Sequence, residues 1–291
     1  MGARQPRARP GPRDPVGPRR QGPRRGARAL SERIAAAFAS HGRSAALMPY
    51  LMGGFPDVEE SLAVGSACAD AGADLVELGV PFSDPLADGP VIHAAATKAL
   101  AAGATTDAVL GVCESLSERL AVVLMVYANI VLAGGDAAFV QRAANAGAAG
   151  LIVPDLPHDE ATDLRSACDS NGVALVPLAA PNTPRERLAE IAADARGFVY
   201  TVSVAGTTGE RSELPPELSD TVARVREAAS VPVAVGFGIS TSQQARQVAE
   251  IADGVIVGSR VVRAAGEGGA DAVRALVSEL AEALSDDRQP V

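Results

Sequence analysis

"ADLVELGVPFSDPLADGP", residues 73–90, begins as a strand and ends as a loop. Leu75, Val76, Leu78 and Val80 leave almost no polar alternation, the pattern of a strand covered on both faces. Similar runs recur along the chain: "AALMPYL" (45–51), "AVVLMVY" (121–127), "AGLIVP" (149–154), "VALVPLA" (173–179), "GFVYTV" (197–202), "VPVAVG" (231–236) and "GVIVGS" (254–259). Between them lie helical patterns with one apolar face, for example over 57–72, 136–148 and 183–195. Eight strands alternating with helices predict a parallel sheet closed as a (β/α)8 TIM barrel. A doubly wound sheet fits less well, because no GxGxxG follows the first run.

Most runs start 23–28 residues apart, with longer gaps after the second run (73 to 121) and the sixth (197 to 231). A barrel carries its active site on the loops that follow its strands. The two long gaps are therefore expected to hold lids or catalytic loops.

Residues 1–28 stand apart in composition. They hold nine Arg and one Asp, a charge of +8 against −9 for the whole chain, and are rich in Pro and Gly. Such a segment cannot bury enough surface to fold, so a disordered extension is expected there, with one catalytic domain over 29–291. The acidic body argues against nucleic acid as the partner. No apolar run is long enough to span a bilayer, and the N-terminal stretch has no apolar segment of a secretory signal. Cys68, Cys113 and Cys168 are an odd number and widely spaced, which fits a reducing cytoplasm rather than a disulfide framework or a zinc site.

Glu77 interrupts the apolar run on the same strand face as Leu75 and Gly79. Loss of solvation there raises a carboxyl pKa toward neutrality, as a general acid/base requires. Asp88 lies eleven residues on, at the same barrel end, so the two carboxyls could divide the proton roles. Asp84, beside Pro85, reads as turn chemistry. "GTTGER" (206–211), "GFGIS" (236–240) and "GSRVV" (258–262) follow the last three runs, and the third opens a short helix. Glycine turns and a helix N-terminus at these strand ends suit a phosphate group.

Other chemistries lack their residues. The one lysine, Lys98, sits in a helical stretch and not at a strand end, where a Schiff-base enzyme needs it. His41, His93 and His158 are scattered, so no metal-ligand set is legible. What remains is carboxylate acid/base chemistry on a small phosphorylated molecule.

"ELGVPFSDPLADGPVI" (77–92) closely resembles the signature of the tryptophan synthase alpha chain family. Supporting segments are "PYLMGGFPD" (49–57), "MVYANIV" (125–131), "GLIVPDLP" (150–157), "GFVYTVSVAGTTGER" (197–211), "GFGIS" and "VGSRVV" (257–262). The resemblance implies a lyase that cleaves indole-3-glycerol phosphate to indole and glyceraldehyde 3-phosphate. It implies that Glu77 is the acid/base and that Asp88 holds the indole N–H. Tyr200 would line the substrate site, and Thr208 would brace the aspartate. Gly209, Phe237, Gly238, Gly258 and Ser259 fall on phosphate-binding positions. Tyr50, Met125, Ile152 and Asp155 fall on the indole pocket and its polar neighbour. Tyr50 stands where some relatives have Phe, and Val204 and Ala205 stand where some have Arg and Ser.

The resemblance also implies a pyridoxal-phosphate beta subunit as partner, in an αββα complex, with Pro81 and Asp84 near the interface and no cofactor on this chain. Competing readings are a stand-alone indole-releasing lyase, another phosphate-binding barrel such as a pentose-phosphate epimerase or a thiamine-phosphate synthase, and a silent barrel that only activates a partner. The epimerase lacks its metal ligands, the synthase lacks its basic diphosphate site, and a silent barrel has no need to keep Glu77 and Asp88.

Overall fold

The computed structural model describes residues 28–203, 214–236 and 238–285. Its nine strand segments are all parallel: β1 (Ala46–Met52), β2 (Leu75–Gly79), β3 (Ala121–Met125), β4 (Ala148–Ile152), β5 (Ala174–Leu175), β6 (Leu178–Ala179), β7 (Val199–Val202), β8 (Val233–Gly236) and β9 (Gly254–Val257). Their order is β5-β4-β3-β2-β1-β9-β8-β7-β6. The segments β5 and β6 are the two halves of the fifth run read from the sequence. Pro177 separates them, and it has no N–H to give to a ladder. The Val176 N–H still reaches the Leu151 carbonyl at 2.9 Å, and the Pro177 carbonyl accepts the Tyr200 N–H at 2.9 Å. One run thus bonds β4 with its first half and β7 with its second, which closes the ring of eight.

Alternate residues split the strands between two apolar layers. Met48, Leu75, Val123, Ile152, Val176 and Ile256 fill the barrel. Leu47, Val76, Leu78, Leu124, Val199 and Val255 face the helices. At the N-terminal end of the strands, α1 (Arg28–Ser40) plugs the barrel. Its Ile34 lies where side chains on Gly150 and Gly197 would stand, and its Phe38 where one on Gly254 would. The Phe38 and Phe198 rings are 5.5 Å apart.

An acidic side chain fastens the strands near that end. Asp74, just before β2, accepts the Leu47 N–H at 2.7 Å and pairs with Arg43. Asp253, just before β9, repeats the device by accepting the Val233 N–H at 2.8 Å and pairing with Arg226 at 3.0 Å. The same "AD" dipeptide precedes both strands.

The helical layer contains α2 (Val58–Asp70), α4 (Thr106–Ser117), α6 (Asp136–Asn145), α7 (Thr162–Asn171), α8 (Arg185–Asp194), α9 (Leu218–Ala228), α10 (Ser242–Ala249) and α11 (Ser259–Leu284). Two further helices are α3 (Pro90–Ala101) and α5 (Ala128–Ala133). Most of the extra length after the second run is therefore α3 and not open loop. Pro90 sits at the first turn of α3, where its missing N–H costs no bond. The other long gap falls mainly on residues 204–213, outside the described residues. The short helix expected at 258–262 is the first leg of α11, which ends at Gly268 and Gly269, where φ is +59° at Gly269.

The three cysteines are buried and unpaired, one each on α2, α4 and α7, and burial pushes each thiol up to about 12. No helix among the described residues is long and apolar enough to cross a membrane. The extension read over 1–28 lies outside the described residues but for Arg28, where α1 begins.

Candidate active site

The described residues of the predicted site lie in the barrel strands and on the loops that follow them. Glu77 stands in the middle of β2, in register with Tyr50 on β1 and Val123 on β3. The β period turns it into the barrel beside Leu75. It is 0 % exposed, and neither carboxylate oxygen has a hydrogen-bond partner among the described residues. An ionised carboxylate is costly in such a place, so the group keeps its proton. Burial first, and then the nearby Asp88 charge, push its pKa up to about 8.

Asp88 hangs from the loop 80–89 that leads out of β2. Burial raises its pKa, opposed by a hydrogen bond from Tyr127 and by His93 on α3. The two carboxyls feel each other, and the one facing Tyr127 and His93 is the better placed to carry the charge.

Three tyrosines surround the pair. Tyr50 and Tyr200 are buried with pKa values pushed well above the usual phenol, first by burial and then by nearby acids: Asp88 and Glu77 for Tyr50, Glu77 for Tyr200. Each ring leans over a glycine on the following strand. A Cβ on Gly79 would collide with the Tyr50 hydroxyl, and one on Gly236 with the Tyr200 hydroxyl. Tyr127 is the third. It ends the run that forms β3, stacks on Phe82 at 5.3 Å and accepts the Ala87 N–H at 3.1 Å. The sequence reading did not single it out. The available signal was its place in "MVYANIV" and the fact that the chain has three tyrosines in all.

Met125 and Ile152 are the last residues of β3 and β4, paired in register and both buried. They form an apolar wall on the Glu77 side of the barrel mouth. Asp155, in the loop after β4, accepts the Ala128 N–H at 2.8 Å. It thereby caps α5, whose own preceding residue supplies no capping side chain.

On the other side of β1, along the same rim, Gly238 has φ +86° and Gly258 leads into α11, which starts with the buried Ser259. A Cβ on Gly258 would lie 3.7 Å from the Tyr50 Cβ, so this turn borders the carboxylate pair. The first amides of α11 have no partner within the helix and are suited to an anion. Thr208, Gly209, Phe237, Val204 and Ala205 lie outside the described residues.

Of the two residues read as lying near a partner, Pro81 is buried within the chain. Asp84 is exposed and accepts the Ser83 hydroxyl at 2.6 Å, a local turn contact. Among the described residues, the most exposed large apolar side chains are Leu86, at 78 %, and Leu132, at 55 %, both beyond the C-terminal ends of strands. Lys98 lies on α3, its ammonium 5.4 Å from the Phe55 ring centre. No cluster of His, Cys, Asp or Glu fit to hold a metal occurs among the described residues.

A parallel barrel with a fully buried carboxyl in its throat and a second carboxyl on the adjoining loop has the arrangement of an acid/base barrel enzyme. The family model described as tryptophan synthase alpha chain matches residues 37–287. The alpha chain of Synechococcus elongatus is 46 % identical over 259 residues, covering 88 % of this chain and 96 % of that one. That of Geobacter sulfurreducens is 43 % identical over 263 residues, covering 87 % and 99 %. Among solved structures, a chain of Mycobacterium tuberculosis tryptophan synthase superposes with a TM-score of 0.82 at 40 % identity, covering 89 % of this chain and 98 % of its own. A chain of the Pyrococcus furiosus tryptophan synthase complex gives 0.76 at 35 %, covering 82 % and 98 %. The chain belongs to the tryptophan synthase alpha chain family.

Proposed function

We propose that Glu77 and Asp88 carry the family's lyase reaction in this chain, the cleavage of indole-3-glycerol phosphate to indole and glyceraldehyde 3-phosphate. The observation that carries the assignment is Glu77, fully buried and without a hydrogen-bond partner among the described residues, with burial pushing its pKa up to about 8. Its proton goes to indole C3, which leaves a cationic indolenine. The Glu77 carboxylate then takes the proton of the neighbouring glycerol hydroxyl. The carbon–carbon bond breaks, its electron pair returns to the ring as indole, and the hydroxyl carbon becomes the aldehyde. Glu77 ends the cycle protonated, as it began, with no net proton exchanged with water. Asp88 stays ionised, accepts the indole N–H and stabilises the cation.

The remaining residues fit this arrangement. Met125, Ile152, Tyr50 and Tyr200 would enclose the indole ring, with Asp155 holding α5 behind them. Gly238, Gly258 and Ser259, together with Gly209 and Phe237, would bind the phosphate, and Thr208 would close on Asp88. Proton transfer of this kind asks for no cofactor from this chain, since pyridoxal phosphate belongs to the beta chain. A beta chain is the expected partner. Exposed Leu86, on the loop after β2, and Leu132, on α5 after β3, would give that surface its apolar anchors. A single catalytic domain over 29–291 and a cytoplasmic location complete the reading, the latter supported by three free, buried cysteines.

The test is indole release from indole-3-glycerol phosphate by the purified chain, beside Glu77→Gln and Asp88→Asn. The wild type is expected to release indole, and each variant to lose roughly a hundredfold to ten-thousandfold in kcat. A fully active Glu77→Gln would remove Glu77 from the chemistry.

A further inference from the structure

We propose that Tyr127 is a positioning residue for Asp88, its phenol hydroxyl tying the carboxylate and the loop 80–89 to the top of β3. This rests on the reading of Asp88 given above. Tyr127 makes three separate contacts with that one loop. Its ring stacks on Phe82 at an angle of 27°, its hydroxyl oxygen accepts the Ala87 N–H at 3.1 Å, and its hydroxyl proton goes to the Asp88 carboxylate. An oxygen that accepts from residue 87 and donates to residue 88 leaves little freedom to either.

Tyr127 is itself held from behind. The Val126 N–H bonds the Ile152 carbonyl at 2.9 Å, the Tyr127 carbonyl accepts the Ile130 N–H at 3.0 Å, and the Ala128 N–H bonds Asp155 at 2.8 Å. The side chain joins the loops after β2 and β3, and the amides on either side of it tie this segment to β4 and its loop, so Asp88 takes its position from two neighbouring strands as well as its own. A loop that has to present a fixed anion to a developing cation gains from such bracing, because the dipoles are aligned before the reaction begins.

The charged and titratable groups around Asp88 are Glu77 on β2, Tyr50 on β1, Tyr127 after β3 and His93 on α3. Tyr127 also feels Asp155, from the loop after β4. Burial raises the Asp88 pKa, and the Tyr127 hydrogen bond and His93 hold it down. Removing the hydroxyl leaves His93 as the opposing group, so Asp88 becomes harder to ionise.

The experiment is the pH dependence of kcat and kcat/KM for Tyr127→Phe in the full-length chain, with Asp88→Asn and the double variant assayed beside it. Phe keeps the ring on Phe82 and removes the hydroxyl alone. The expected result is a kcat lower by about tenfold, the worth of one charge-assisted hydrogen bond, with KM changed far less. The acidic limb of the kcat/KM profile should move to higher pH. In the Asp88→Asn background the same change should cost almost nothing further, because the residue acts through Asp88. An unmoved acidic limb, or losses that multiply in the double variant, overturns the proposal. If Asp88→Asn alone keeps full activity, it is the assignment of Asp88 that falls. Should Tyr127→Phe fail to fold, 3-fluorotyrosine placed at 127 preserves the shape and makes a stronger donor. The acidic limb should then move to lower pH, and an unmoved limb overturns the proposal equally.

Discussion

The Tyr50 hydroxyl occupies the space that a side chain on Gly79 would need. Tyr50 is in register with Glu77, and Gly79 lies two residues further along the same face of β2. The phenol therefore leans over the carboxylate toward the substrate side, and glycine is what lets it do so. Gly79→Ala should cost about 1–3 kcal/mol of stability and displace Tyr50, with a larger loss in kcat than in Tm. Adding Tyr50→Phe removes the worst collision and should restore part of the activity. Kinetics on the two single variants and the double variant check this, and a fully active Gly79→Ala would show that the space is not needed.

Glu77 makes stability depend on pH. Its pKa is near 8 in the folded chain against an ordinary 4.5. Between those values the native state holds a proton that the unfolded state has released. The contribution is present in full below about pH 4.5 and is lost as pH rises through 8. Glu77→Gln cannot titrate, so its stability relative to wild type should grow from pH 5 to pH 8, by on the order of 4 kcal/mol. Parallel denaturant titrations at several pH values measure the difference. A constant offset would mean that Glu77 is not protonated in the native state.

On the proposed mechanism the same proton limits catalysis from the alkaline side. Once Glu77 ionises it has no proton to give to the ring, so kcat/KM should fall above about pH 8 with a slope of one proton. The measurement is a pH–rate profile taken far enough into alkali to define that limb, and a flat profile to pH 9 would assign the acid elsewhere.

The plug at the far end of the barrel should matter for stability and hardly for chemistry. Ile34 is fully buried against the space above Gly150 and Gly197, far along the strands from the carboxylates. Ile34→Ala should cost about 2–5 kcal/mol and leave kcat within a factor of two at a temperature where both proteins are folded. Thermal melts and initial rates are enough to decide it.

Asp74 ties β2 to β1 through the Leu47 amide and Arg43. Asp74→Ala takes the counter-charge from a largely buried guanidinium, which keeps the Gly72 carbonyl as acceptor, and removes the side-chain acceptor of the Leu47 amide, and should cost about 3 kcal/mol. Arg43→Ala combined with it should be better tolerated than the sum of the two single changes.

The eight strands were legible because buried parallel strands are continuously apolar, and few other segments of this chain are. Pro177 marked the division of the fifth strand, though periodicity alone did not say that its halves bond different neighbours. Helix α3 was harder to separate from the loop before it, since "HAAATKALAAG" carries no polar stripe to set its limits. Glu77 stood out as a charge among aliphatic residues. Tyr127 did not, because an aromatic residue at the end of an apolar run looks like core. Only the return of the loop 80–89 over β3 brings it to Asp88. Asp155 was named as a polar neighbour of the pocket by the family resemblance alone, and its bond to the α5 backbone depends on a contact between loops that no local pattern records.

The chain contains no tryptophan, and its three tyrosines all stand around the Glu77–Asp88 pair. Nearly everything that this polypeptide absorbs and emits in the near ultraviolet therefore originates around these two carboxyls. Its intrinsic fluorescence is a label already in place at the barrel mouth. Indole made by this chain would appear against a background in which every tyrosine stands around the same pair of carboxyls.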